Sequence, residues 1–165
     1  MSQLQPCQFS STRPMRVLTM NIWNFSDPYE KRLSLLRRGL QALDPDLMAF
    51  QEAGFADGRH QVADALQGMG YHILHQLEVK PDPRWNQGCC IASRWPIELM
   101  ELLSIDLTEH THGSPYAALA VRVAVPSPVG PLLFVSAIPS WELNREYERE
   151  RQAVEIVKMV RRHTS

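Results

Sequence analysis

Long apolar runs are absent from this sequence: no stretch approaches the roughly 18 residues that a membrane-spanning helix needs. Cysteine is scarce, with only 3 among 165 residues. They are Cys7 and the adjacent Cys89 and Cys90. The odd count, the adjacency and a polar N-terminus without an apolar h-region argue against a disulfide framework and a secretory signal. A reducing, cytoplasmic location is the expectation. Neither sign of charge dominates, with 17 Lys plus Arg against 18 Asp plus Glu and a net charge of -1. A polycation that coats nucleic acid without selectivity is therefore excluded. There is no Gly-rich phosphate loop, no motif around a nucleophilic Ser or Cys, no internal repeat and no low-complexity tract.

What remains has the make-up of a globular domain, with 44% hydrophobic and 21% charged residues. A chain of this length suits one domain that buries about 70% of its unfolded surface. Residues 1–15 read as a polar leader and residues 16–163 as the domain.

Local patterns predict the elements. Arg16–Ile22 reads as a strand. Asp27, Pro28 and Glu30 form a helix-start signal, with Asp27 as the cap. Leu33, Leu36, Leu40 and Leu43 follow at helical spacing until Asp44-Pro45. Leu47–Gln51 reads as a buried strand, Arg59–Met69 as a helix, and Tyr71–Leu77 and Gly88–Ser93 as strands. Glu98–Leu107, Ala117–Val125 and Leu132–Ser136 complete the strands. A last helix spans Glu142–Arg162, with Val154, Val157 and Val160 as its apolar stripe. The fold class is α/β, a layered mixed sheet with helices on one face. Several strands are apolar on both faces, and no second sheet is apparent. The uncovered face is expected to meet a second copy, a protein partner or further C-terminal sequence.

Two polar residues end buried strands: Asn21 and Glu52. Ligand sites in layered α/β domains gather at such ends. A carboxylate with amides and waters is a hard oxygen environment, suited to Mg²⁺ or Mn²⁺. The plainer alternative is a solvated acid and a turn amide. Arg94 either faces phosphate or closes its turn on a carboxylate. Trp141 and Tyr147 either line a substrate rim or pack beside a helix start. His110 and His112 lie in a loop without a third ligand and read as solvated. The mixed charges between Glu142 and Arg151 read as a helix face with ion pairs.

The string Leu18-Thr19-Met20-Asn21-Ile22-Trp23, followed by Asp44-Pro45-Asp46-Leu47-Met48-Ala49-Phe50-Gln51-Glu52, resembles the endonuclease/exonuclease/phosphatase superfamily. Gly88-Cys89-Cys90-Ile91-Ala92-Ser93-Arg94-Trp95-Pro96-Ile97, the strand Leu132–Ser136 and Ser140-Trp141 agree with it. The resemblance runs from Arg16 to about Val160 and implies a deoxyribonuclease-I-like fold, of which this chain is the N-terminal half. It implies a Mg²⁺- or Mn²⁺-dependent phosphoesterase or nuclease whose substrate is a phosphate ester, nucleic acid included. Glu52 would be the metal ligand, and Asn21 would organise the metal site or the substrate phosphate. The family's His after the Leu132–Ser136 strand corresponds to Ala137 here, and its Gly-Asp-x-Asn and Asp-His motifs have no counterpart. That departure implies the alternative of an inactive or partner-dependent half-domain.

Overall fold

A computed structural model describes residues 13–164. Cys7 and most of the expected leader lie outside the described residues. In chain order the first elements are β1 (Val17–Asn21), α1 (Tyr29–Leu43), β2 (Leu47–Ala56), β3 (Arg59–His60), α2 (Gln61–Ala65) and β4 (His72–His75). There follow α3 (Gln76–Val79), β5 (Gln87–Ser93), β6 (Ile97–Ser104), β7 (Ala117–Val123), β8 (Leu132–Ile138) and α4 (Glu146–Thr164). β1 and β2 are parallel, with Val17 opposite Leu47 and Asn21 opposite Gln51. A parallel pair needs a crossover, which α1 supplies.

The strands form two sheets. One has the order β1-β2-β5-β4, with β3 paired to the end of β2; the other has the order β6-β7-β8. Alternation along each strand then builds three layers of contact. Met48, Phe50, Cys90 and Ala92 face Leu40 of α1 and Val62 and Ala65 of α2. Leu47, Cys89 and Ile91 point the other way and meet Leu119 and Val121 of β7. The small Ala118 and Ala120 on the far side of β7 let Met159 of α4 approach closely. The result is helix, sheet, sheet, helix.

The α/β layered class is borne out, and one part of the expectation is corrected. The apolar inner face does require a cover, and this chain's own second sheet provides it for β2 and β5, while β1 stays largely exposed. Helices accordingly sit on two outer faces rather than one. Strand periodicity marks which faces are buried but does not say which sheet a strand joins, and the turn at Arg94-Trp95-Pro96 is where the chain changes sheets.

Polar anchors explain the other differences. α4 starts later than expected, and Val154 and Val157 are about half exposed. Its buried face carries Gln152 and Met159. Gln152 accepts from Ser140 N at 2.9 Å and donates to Ile105 O at 2.9 Å. A buried glutamine that satisfies two main-chain groups is invisible to an apolar-stripe reading. At α1 the cap is Pro28, without a side-chain cap bond, rather than Asp27. The helix expected over Arg59–Met69 shortens because Arg59 and His60 pair with β2.

Two imidazoles cap short helices. His60 Nδ1 accepts from Ala63 N at 3.3 Å, and His75 Nδ1 accepts from Leu77 N at 3.0 Å. His75 is fully buried and its Nε2 donates to Ala53 O at 2.9 Å. Both of its nitrogens are thus used by the neutral ring. Burial pushes the His75 pKa down to about 4 from 6.5. The unfolded chain takes up this proton first as pH falls, so the stability His75 contributes is complete above pH 6.5 and is lost towards pH 4. The span is worth on the order of 3 kcal/mol. Urea midpoints should fall across that window in the wild type and less steeply in His75→Gln. Equal slopes in the two proteins would contradict the assignment.

Candidate active site

The site grows from an irregularity in β2. Phe50 pairs with Cys90 and Ala53 with Gly88, so Gln51 and Glu52 together oppose Cys89. Such a bulge bends the strand and re-aims a side chain. Glu52 adopts a left-handed backbone, φ 49°. This costs a non-glycine residue roughly 1–2 kcal/mol. Trp23 and Asn24, just past β1, are left-handed as well, with φ 52° and 36°. Three strained residues thus meet at one rim, the kind of cluster found where a chain gives up stability for geometry.

The two residues singled out in the sequence meet there. Asn21 Nδ2 donates to Glu52 Oε1 at 2.9 Å, and Asn21 Oδ1 accepts from Trp23 N at 3.0 Å. The asparagine therefore fixes both the acid and the turn that follows β1. Glu52 O accepts from Asn24 N at 2.7 Å. No described Lys or Arg forms an ion pair with the Glu52 carboxylate.

Residues that the sequence reading missed hold this rim rigid. Arg32 of α1 donates to the carbonyls of Ile22 at 2.7 Å and of Trp23 and Asn24 at 3.1 Å, and also to Ser26 O. The buried Gln61 donates to Asn24 O and accepts from Gly54 N, both at 2.8 Å. Ser136 of β8 donates to Phe50 O at 3.1 Å and receives a bond from Gln51 Nε2 at 3.3 Å. The bonds of Ser136 span 85 and 86 residues and Gln61 reaches Asn24 across 37, while Arg32 lies only 6 to 10 residues from the carbonyls it meets.

The rim opens into a cavity of about 760 Å³. Asn21, Gln51, Glu52 and Gln87 line it, as do Trp85, Tyr116 and Trp141. Ala137 also lines it, at the position where the resemblance leads one to expect a histidine. Glu52 is the single formal charge on the wall; no Lys, Arg or His is among the described residues that line it. Just outside, Glu142 accepts from Ser140 Oγ at 2.6 Å. That bond holds its carboxyl below the usual range. Burial and the nearby Glu142 raise the Tyr116 phenol.

The donor set fits a hard divalent cation. No group of three His, Cys, Asp or Glu side chains occurs among the described residues. Zinc, which takes three or four such ligands, is poorly served. A Mg²⁺-type ion binds through one or two carboxylates and completes its shell with water and substrate phosphate. Glu52 with adjacent amides offers that arrangement.

The remaining candidates divide. Trp141 reaches the cavity and is 76% exposed. Arg94 does not, because Ser93 pairs with Leu47, at the end of β2 opposite to Glu52. There it forms an ion pair with Asp44 and lies within 3.5 Å of Asp46, while its guanidinium covers the Tyr71 ring. It closes its turn on carboxylates, and the expectation of a phosphate contact is corrected. Tyr147 lies on α4 outside the cavity, 68% exposed, with Arg151 5.8 Å from its ring. The salt bridges Arg145–Glu148 and Arg149–Glu146 show the expected ion-paired helix face.

Comparison with known proteins adds three findings. The model of the Endonuclease/Exonuclease/phosphatase family matches residues 18–163. No curated protein matches the sequence significantly. Among solved structures, the human Nocturnin catalytic domain with bound sulfate anion superposes with a TM-score of 0.68 at 18% identity, covering 92% of this chain and 59% of that one. TDP2 from C. elegans gives 0.68 at 13%, covering 90% and 42%. ANGEL2, a 2',3'-cyclic phosphatase in complex with adenosine-2',3'-vanadate, gives 0.65 at 14%, covering 84% and 45%. At these identities the likeness is one of fold. The chain spans about half the length of these structures.

Proposed function

Since this chain belongs to the endonuclease/exonuclease/phosphatase family, we propose that residues 16–163 form a hydrolase-type domain that holds Mg²⁺ or Mn²⁺ on Glu52 and cleaves a phosphate ester. The observation that carries this reading is the Asn21–Glu52 pair, 2.9 Å apart on a strained bulge. The sulfate in Nocturnin and the vanadate in ANGEL2 are anions of phosphate-like shape bound by proteins of this fold. A cytoplasmic setting accords with the two buried, unpaired thiols Cys89 and Cys90.

Charge explains the need for a cation. The only formal charge among the described residues that line the cavity is negative. A phosphate 4 Å from it would be repelled by roughly 4 kcal/mol at an effective dielectric of 20. A divalent ion held by Glu52 would supply positive charge beside the phosphoryl oxygens; in the hydrolysis, water adds to phosphorus and its proton goes to the departing ester oxygen. Glu52 holds that charge in place. Asn21 fixes the orientation of the carboxylate, and the Arg32 and Gln61 bonds keep the rim from shifting.

A second reading, binding without turnover until a partner joins, is favoured by one observation. No histidine or lysine that could move a proton is among the described residues that line the cavity, and Ala137 stands where the resemblance leads one to expect the family's His. One assay separates the two readings. With Mn²⁺, the protein should hydrolyse bis(4-nitrophenyl) phosphate, lose that activity in chelator and regain it with added metal. Mn²⁺ binding without turnover supports the second reading. Absence of Mn²⁺ binding defeats both.

A further inference from the structure

The cavity's charge and its aromatic wall point to a narrower substrate class. Resting on the reading of Glu52 as the cation holder, we propose that the site takes a small phosphate ester whose alcohol carries an aromatic ring, and that it does not track a polymeric nucleic-acid backbone. A groove that follows a polyanion needs a run of Lys and Arg to replace the counterions. None is among the described residues that line the cavity, and the acid beside its wall, Glu142, already has Arg149 bonded to its carbonyl and Arg145 near its carboxylate. A polymer would bring further phosphates against a lining of uncharged and apolar side chains. The one phosphate near Glu52 can be matched by a divalent ion; its neighbours would meet no Lys or Arg among those lining residues.

The uncharged part of the wall has its own preference. Trp85 is fixed by its indole N–H, which donates to Gly113 O at 3.1 Å. The Tyr116 ring is almost wholly buried, at 7% exposure. Trp141 stands at 76% exposure in the same cavity, a large apolar side chain held in water. An aromatic group entering beside it gains both burial and ring-to-ring contact. The nucleobase of a single nucleotide or an aryl alcohol satisfies this chemistry; a sugar or alkyl alcohol that bears no aromatic ring does not.

Titration calorimetry of the whole chain in Mn²⁺ tests the proposal, with phenyl phosphate, methyl phosphate, thymidine monophosphate and a thymidine oligonucleotide as probes. Phenyl phosphate should bind about tenfold tighter than methyl phosphate, given what an aromatic contact contributes. Trp141→Ala should reduce that preference to about twofold or less; its exposure keeps this substitution out of the core. The oligonucleotide should bind no tighter than the mononucleotide, with a log–log salt slope of about -1. Equal affinity for phenyl and methyl phosphate, or tight oligonucleotide binding with a steep salt slope, would overturn this inference and leave the cation site standing. If no monoester binds in Mn²⁺, the cation-site reading fails and this one fails with it.

Discussion

Glu52→Gln should cost this protein about 100-fold in Mn²⁺ affinity while leaving its fold intact. The exchange removes one formal charge and little volume. The Asn21 amide, which donates to Glu52 Oε1 at 2.9 Å, can donate to a glutamine oxygen in the same place. The bulge and its left-handed backbone are set by the chain around them, through Asn24 N on Glu52 O and the Gln61 brace. What disappears is the only formal charge among the described residues that line the cavity. At an effective dielectric of 20, a unit charge pair at 4 Å is worth roughly 4 kcal/mol. Allowing for water that replaces the carboxylate, a loss of about 3 kcal/mol follows, which is the 100-fold stated. Calorimetric Mn²⁺ titration beside a thermal melt monitored by circular dichroism checks both halves. Equal metal affinity in the two proteins would remove Glu52 from the site, and with it the proposed function.

Asp46→Ala should act at the other end of the same strand and in the opposite sense, lowering stability by about 3–5 kcal/mol with no change in Mn²⁺ affinity. Asp46 is 2% exposed. Its carboxylate accepts from Arg13 Nη1 at 2.9 Å, Arg13 Nη2 at 2.6 Å and Arg16 N at 2.8 Å. Arg94 Nε lies 3.5 Å away. Removing the acid leaves the Arg16 N–H and the two Arg13 bonds without their acceptor, while Arg94 keeps its ion pair with Asp44; polar groups that lose a buried partner are costly. Because Leu47 and Glu52 are five residues apart on a strand, the two ends lie roughly 17 Å from each other. Coupling between the sites is not expected over that distance. A urea titration measures the stability. A loss below about 1 kcal/mol would mean that Asp44 and water take over the arginines.

The contrast between these acids shows where reading a sequence succeeds. Asn21 and Glu52 were legible because each ends an apolar run that reads as a strand, and parallel pairing with a helical crossover aligns strand ends; β1 itself stays largely exposed, against the expectation of burial. α1 ended at Asp44 as its local pattern predicts, with Asp44 in a left-handed backbone. Arg94 was misplaced because its turn carries no label for which end of the sheet it occupies. The stripe of α4 was misread because Gln152 and Glu148 are buried by the bonds they make rather than by apolarity. His60 and His75 gave no paired pattern in sequence, yet their rings lie 5.5 Å apart, each capping a helix.

The sequence by itself determined the α/β character and the two polar residues at the ends of adjacent strands, because periodicity and chain connection are local properties. Only the tertiary structure decided that the strands divide into two facing sheets and that a bulge turns Glu52 outward. It also decided that the wall around Glu52 is aromatic and free of cations. Those features depend on contacts between residues tens of positions apart, and no local pattern of side chains specifies them.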